Sequence, residues 1–430
     1  MIHKPSPIWH PFTQHGLMQE ILPVERAEGA YLYTNDGRRI IDAISSWWVV
    51  THGHCHPKIV MGVREQARKL DQVIFAGFTH EPAERLAEKL VCHAPEGLSR
   101  VFYSDSGSTA VEVALKMAIG YFAQTGQARR KILALEGGYH GDTFGAMSAG
   151  GRSAYNALYE PYLFEVTHLP FPESGQEEWT FSALEKLLKQ SGDDIAAFIF
   201  EPLVQGAGGM RFYSAEVLAQ MAKMCRAHGI LLIADEVMTG FGRTGTLFAC
   251  EQAGLAPDLL CLSKGLTGGF LPMGATLATE AIYRAFYHKD RAKMFFHSTS
   301  FTGNPLSCVA ALASLTIWEQ EPVMERIAAI NQTHRKAAAH FGGREDVENV
   351  RFLGSIFALD VRDEGGGYLS DLQPFLYQTM LSRNVLLRPL GNSVYILPPY
   401  CVTQRDLDTI YECIDFALDR LRDERQKQVA

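Results

Sequence analysis

The 430-residue chain has no apolar run near the about 18 residues that a membrane span needs, and its first nine residues hold two prolines, one lysine and no apolar leader core. A cytoplasmic protein is expected. The eight cysteines, at 55, 92, 225, 250, 261, 308, 401 and 413, include no C-x-x-C pair and fall mostly in apolar runs, as free buried thiols do in a reducing compartment. Charge of one sign is never blocked: the net charge is −8, with acidic and basic residues interspersed. That leaves no electrostatic footprint for nucleic acid or an anionic membrane, so the expected partners are small molecules. There is no internal repeat and no low-complexity stretch. The loop Gln205-Gly206-Ala207-Gly208-Gly209 lacks the G-x-G-x-x-G spacing of a dinucleotide site. His52-Gly53-His54-Cys55-His56 carries metal-ligating residue types, but alternating residues of an extended chain point apart and no second ligand cluster follows, so no metal is expected.

What is present centres on one run. Gly229-Ile230-Leu231-Leu232-Ile233-Ala234-Asp235-Glu236-Val237 is continuously apolar until it ends in two carboxylates, which predicts a strand buried on both faces. A second apolar strand, Asp258 to Ser263, ends in Lys264 and a glycine-rich loop, with Lys264 placed 29 positions after Asp235. If the two strands are parallel neighbours, both charges emerge at the carboxyl edge, where open α/β sheets bind ligands. An amine and an anion there suit pyridoxal 5'-phosphate: the amine holds the aldehyde and the anion keeps the ring nitrogen protonated. The plainer alternative is a helix cap and a solvated lysine.

Around this pair, strands and helices alternate from about 100 to 280, the pattern of a mostly parallel sheet covered on both faces. Asp105-Ser106-Gly107-Ser108-Thr109 opens a helix after a short strand and leaves backbone N–H groups free, either as an ordinary cap or as a phosphate site. Glu136-Gly137-Gly138-Tyr139-His140-Gly141-Asp142 follows another strand, and its glycines allow Tyr139 to be aimed at a ligand ring, with Asp142 orienting neighbours. Before residue 50, a hairpin over Gly29–Asp42 precedes Ser45-Ser46-Trp47-Trp48, whose tryptophans serve either the core or an apolar pocket wall. Arg388, between an apolar run and Pro389, is either a surface residue or a bidentate carboxylate clamp. Three parts are expected: residues 1–50 packing with a small domain, a large domain over 51–325, and a smaller α+β domain over 326–430.

Together these stretches resemble the class III (ω-type) aminotransferases, which have the pyridoxal-phosphate fold type I of aspartate aminotransferase. The most specific part is Leu232-Ile233-Ala234-Asp235-Glu236-Val237-Met238-Thr239-Gly240-Phe241-Gly242-Arg243-Thr244-Gly245 with Ser263-Lys264-Gly265. The resemblance implies that Lys264 binds the cofactor's aldehyde and Asp235 its pyridine nitrogen, while Tyr139 and Val237 sandwich the ring. It implies that Gly107 and Ser108 hold the phosphate, with Ser300 reaching it across a homodimer. Within the class, Ile8-Trp9-His10-Pro11-Phe12-Thr13, Ser45–Trp48 and Arg388-Pro389-Leu390-Gly391 are similar to the branch that transaminates 8-amino-7-oxononanoate in biotin synthesis. There Phe12, Trp47, Trp48, Tyr139 and Arg388 would bind substrates and S-adenosylmethionine would be the donor. Phe12 stands where well-known members of that branch carry a tyrosine hydroxyl, which keeps lysine as an alternative donor. Rivals are an ornithine, 4-aminobutyrate or pyruvate-dependent aminotransferase, an aminomutase, or a pyridoxal-dependent transcription regulator. The last would need a basic DNA-binding module, and residues 1–50 hold none.

Overall fold

Helix Ala215–Ala227 shows how local chemistry builds the sheet. Ser214 caps it by accepting from Val217 N, and Gly229, at φ +66°, turns the chain back into the next strand. The computed structural model describes residues 7–17, 21–363 and 367–429. Its main sheet has seven strands: β1 (Leu98–Ser104), β2 (Lys131–Leu135), β3 (Thr167–Leu169), β4 (Ile195–Phe200), β5 (Leu231–Asp235), β6 (Leu259–Leu262) and β7 (Gly274–Thr279). Their spatial order is β1-β7-β6-β5-β4-β2-β3. β4, β5 and β6 pair in parallel, as expected, with Asp235 opposite Cys261. β7 runs antiparallel to both of its neighbours. The α/β architecture with a mostly parallel sheet is therefore present.

Every residue of β4 and β6 is buried, which explains why these strands read as unbroken apolar runs rather than as an alternation. Helices Gly107–Gln124 and Pro305–Gln320 are also apolar nearly all round: the first lies between the sheet and further helices, and the second packs against helices Pro57–Gln66 and Glu81–His93 and the turn Lys264–Thr267.

A four-stranded sheet joins the two ends of the chain. Val24–Glu28, Tyr31–Thr34 and Arg39–Asp42 form a meander, and Val385–Leu386 adds in parallel with Leu386 opposite Asp42. A separate antiparallel sheet orders Val347–Leu353, Ile356–Val361 and Ser393–Ile396. Several strands had no clear sequence signal, among them Thr167–Leu169 and the two that follow. Val24–Glu28 is a polar edge strand, and Val347–Leu353 is charged and interrupted by a register shift between Glu348 and Arg351. Ser45–Trp48, which follows the hairpin, is a kinked turn with Ser45, Ser46 and Trp48 at φ +53°, +59° and +66°.

Leu260, fully buried at the centre of β6, sets the scale of core stability. Leu260→Ala is expected to cost about 2–5 kcal/mol, read as a lowered midpoint in denaturant unfolding of the cofactor-free protein.

Candidate active site

β5 and β6 deliver their charged ends to one edge. Asp235 is buried there, its Oδ1 accepting from Val237 N at 3.1 Å and its Oδ2 from Nδ1 of His140 at 2.7 Å. Burial alone would lower the His140 pKa, but the hydrogen bond and charge of Asp235 reverse this and raise it, so the imidazolium–carboxylate pair is favoured. Lys264 begins the turn after β6 at φ +33°, with Nζ 5.0 Å from the centre of the Trp48 ring. Burial lowers its ammonium pKa, while Asp235 and Glu201 pull the other way.

Gly107 and Ser108 form the first turn of helix Gly107–Gln124, whose N-cap Ser106 exchanges hydrogen bonds with Thr109. A Cβ on Gly107 would lie 2.6 Å from Cγ1 of Val237, so the helix start and the segment after β5 touch. Ser108 Oγ accepts from Asp142 N at 3.1 Å, and a Cβ on Gly141 would lie 2.0 Å from that oxygen. Only glycine at these two points lets the three loops close on one another. Tyr139 lies on the Gly137–Asp142 loop, its phenol pKa raised by burial and by Asp142.

The second group of residues lies beside this edge. Trp48 is buried, its Nε1 donating to Tyr395 Oη at 3.0 Å, whereas Trp47 is 40% exposed. Arg388 lies over the Trp47 ring at 5.3 Å and donates to the Phe12 carbonyl at 2.7 Å. Phe12 meets Trp47 edge-on at 5.6 Å and Tyr155 at 5.9 Å, and Tyr155 is 6.2 Å from Tyr139. Arg388, Trp47, Phe12, Tyr155 and Tyr139 thus form a chain of contacts, and Trp48 is the one of the two tryptophans that lies against Lys264. Ser300 is not part of it: it occupies an exposed turn, its carbonyl accepting from Gln72 Nε2, while the neighbouring Thr299 hydroxyl donates to Asp105. The histidines of residues 52–56 go separately to Ser314, Asp42 and Glu321.

Residues 13–418 match the family model described as aminotransferase class-III. The chain belongs to the class III aminotransferases. Among relatives of this aminotransferase, the adenosylmethionine-8-amino-7-oxononanoate aminotransferase of Synechococcus elongatus is 49% identical, covering 96% of this chain and 99% of that protein. The protein of the same name from Helicobacter pylori is 39% identical, with 96% of each chain covered. The crystal structure of that aminotransferase from Methanocaldococcus jannaschii superposes with a TM-score of 0.91 at 35% identity, covering 95% of this chain and 97% of the other. A PLP-bound amine transaminase from an uncultivated Pseudomonas species gives 0.91 at 32% identity, covering 97% and 99%.

Sequence reasoning did not single out His140, Glu201 or Tyr155 as site residues of this aminotransferase. His140 stood in the same glycine-bracketed loop as Tyr139 and Glu201 ended a buried strand, but their roles depend on contacts 95 and 62 residues away in sequence. Tyr155 had no pattern around it. A cavity of about 950 Å³ lies on the Gly137–Asp142 loop and extends to Arg351 and Asp360, yet its walls include none of Lys264, Asp235, Trp48 or Arg388. It meets the residues described above through Tyr139, His140, Asp142 and Tyr155.

Glu201 accepts from Tyr139 N at 3.0 Å and Gly206 N at 2.9 Å, and burial pushes its carboxyl from the usual 4.5 to about 7, with His140 opposing and Asp235 adding. Because the folded value is raised, the stabilising contribution is complete below about 4.5 and is lost as pH rises through about 7. Glu201→Gln is expected to lose less stability than wild type between these values, measured as the unfolding midpoint of cofactor-free protein against pH.

Proposed function

We propose that this aminotransferase converts 8-amino-7-oxononanoate to 7,8-diaminononanoate, with pyridoxal 5'-phosphate as cofactor and S-adenosylmethionine as amino donor, in biotin synthesis. The observation that carries the reading is Arg388 over the Trp47 ring, next in the chain to Trp48, whose own ring faces Lys264. An aliphatic chain bearing a terminal carboxylate fits indoles ending in a guanidinium. Short acceptors with two carboxylates fit them poorly. The names of the Synechococcus and Helicobacter relatives support the same choice.

The residues fit the cofactor. The Gly107–Val237 and Gly141–Ser108 approaches leave a cradle that a Cβ would fill, at a helix N-terminus whose free N–H groups suit a phosphate. When bound, pyridoxal phosphate supplies an aldehyde for the substrate's amine and a ring that accepts electrons from the neighbouring carbon. Lys264 Nζ would hold that aldehyde and afterwards move the proton at the substrate carbon, and its lowered pKa raises the fraction of neutral amine available for this. Asp235 would hold the proton on the pyridine nitrogen, with His140 orienting the carboxylate through its hydrogen bond. Tyr139 and Val237 would pack the two faces of the ring, and Gly107 and Ser108 would receive the phosphate. Trp48 would pack over Lys264 Nζ, while Phe12 and Trp47 would flank the aliphatic chain and Arg388 would take its carboxylate.

Ser300 completes the phosphate site across a homodimer in this reading. Ile74, Phe78, Phe296 and Phe301 are 62–65% exposed on two segments tied together by the Gln72–Ser300 and Asn304–Asp71 hydrogen bonds, an apolar face suited to a second copy. The chain would work in the cytoplasm, with the three-part division at residues 50 and 325 part of the same proposal.

With S-adenosylmethionine, wild type is expected to form 7,8-diaminononanoate, and Lys264→Ala to form none and to lose the visible absorption of the bound cofactor. Retained turnover in that variant contradicts the assignment. Asp235→Asn should bind cofactor and lose about 10²–10³-fold in rate. Phe12→Tyr should change the rate with S-adenosylmethionine by about tenfold or less. Turnover with lysine alone, in both wild type and Phe12→Tyr, would overturn the donor and leave the acceptor standing.

A further inference from the structure

We infer that Asp42, hydrogen-bonded to His54, is the positioning residue that sets the two tryptophans of the acceptor pocket, by holding Ser45, Ser46 and Trp48 at positive φ, which L-residues otherwise avoid. Ser45, Ser46 and Trp48 have φ of +53°, +59° and +66°, and Ser46 combines its φ with ψ −86°. Such conformations of non-glycine residues persist only where the surroundings over-determine them. Here the surroundings converge on one carboxylate. Asp42 is fully buried at the end of Arg39–Asp42, and its Oδ1 and Oδ2 accept from Ser46 N at 2.9 and 2.7 Å. The same carboxylate accepts from Ser46 Oγ, from Ile44 N, and from His54 Nε2 at 2.8 Å.

The far end of the segment is fixed independently. Arg243 donates to the carbonyls of Trp48 and Val50 at 3.4 Å, and Ser45 Oγ donates to Leu397 O at 2.8 Å. Between these anchors the reversed backbone sends successive side chains in different directions: Trp47 outward to Phe12 and Arg388, Trp48 inward to Lys264 and Tyr395. An ordinary helical or extended backbone would not place both indoles on the same pocket. Asp42 touches neither substrate nor cofactor residue, so its effect passes through Ser46 and the indoles. The inference rests on the proposed acceptor for its kinetic consequence, but the backbone consequence stands without it.

The test uses the full chain with Asp42→Asn, Asp42→Asn with Ser46→Gly, and His54→Gln. Hydrogen exchange of the cofactor-free protein should rise about tenfold or more in the peptide covering 43–51 in Asp42→Asn, with β5 and β6 unchanged. In the loaded enzyme the KM for 8-amino-7-oxononanoate should rise about tenfold or more while kcat stays within about threefold, because the loss falls on acceptor placement. Glycine reaches φ +59° without steric penalty, so adding Ser46→Gly should return KM to within about threefold of wild type. A carboxylate that merely supports the fold would give a global rise in exchange that glycine does not repair, and that result overturns the inference, as does an unchanged KM with unchanged exchange. If Asp42→Asn does not fold, His54→Gln decides: faster exchange confined to 43–51 supports the inference and unchanged exchange refutes it. If wild type does not use 8-amino-7-oxononanoate, the proposed function fails while the exchange pattern still judges the role of Asp42.

Discussion

The side-by-side parallel pairing of β5 and β6 is the constraint on which the site depends. It brings the Asp235 carboxylate and the Lys264 ammonium to one buried edge, where the low dielectric makes both their attraction and the loss of hydration large. Lys264 Nζ faces the Trp48 ring at 5.0 Å. His140 neutralises Asp235, and Glu201 is held by two backbone amides and by a raised pKa. Burial raises the Glu201 pKa and lowers that of Lys264, while Asp235 raises that of His140 against its burial.

A second constraint is how closely backbone segments approach one another. Gly107 against Val237 and Gly141 against Ser108 leave no room for a side chain, so the helix start, the Tyr139 loop and the segment after β5 meet at van der Waals contact. That closeness gives the phosphate cradle its shape, and it needs glycine at both points. The tryptophan turn solves the opposite problem. Ser45, Ser46 and Trp48 are held in backbone conformations that glycine would favour, and the strain is offset by a buried carboxylate and a neighbouring histidine.

Much of this was legible in order along the chain. Buried parallel strands are continuous apolar runs, so β2, β4, β5 and β6 announced themselves, and each ended near the residue that matters at the edge. Ser106, Gly107 and Ser108 read as a helix start because capping is a local interaction. Val24–Glu28 and Val347–Leu353 did not, since a polar edge strand and a bulged strand are specified by their partners rather than by their own periodicity. The direction of β7 was equally hidden, because an apolar strand carries no mark of which way its neighbour runs.

The sequence by itself determined the chemistry: a lysine and an aspartate at the ends of two buried strands, a glycine-opened helix, an aimed tyrosine, and paired tryptophans with a distant arginine. These follow from local propensity and from the cost of burying charge, both of which act within a few residues. The tertiary structure alone decided which groups answer them. His140 on Asp235, Arg388 over Trp47, Tyr155 against Phe12 and Asp42 beneath Ser46 are contacts fixed by packing. Three of the four join segments about 95 to 340 residues apart, and the fourth depends on a backbone reversal that Leu397 and Arg243 hold from elsewhere in the chain. Such contacts leave no periodic trace, because the side chains that meet are chosen by the geometry of the whole core and not by their neighbours in sequence.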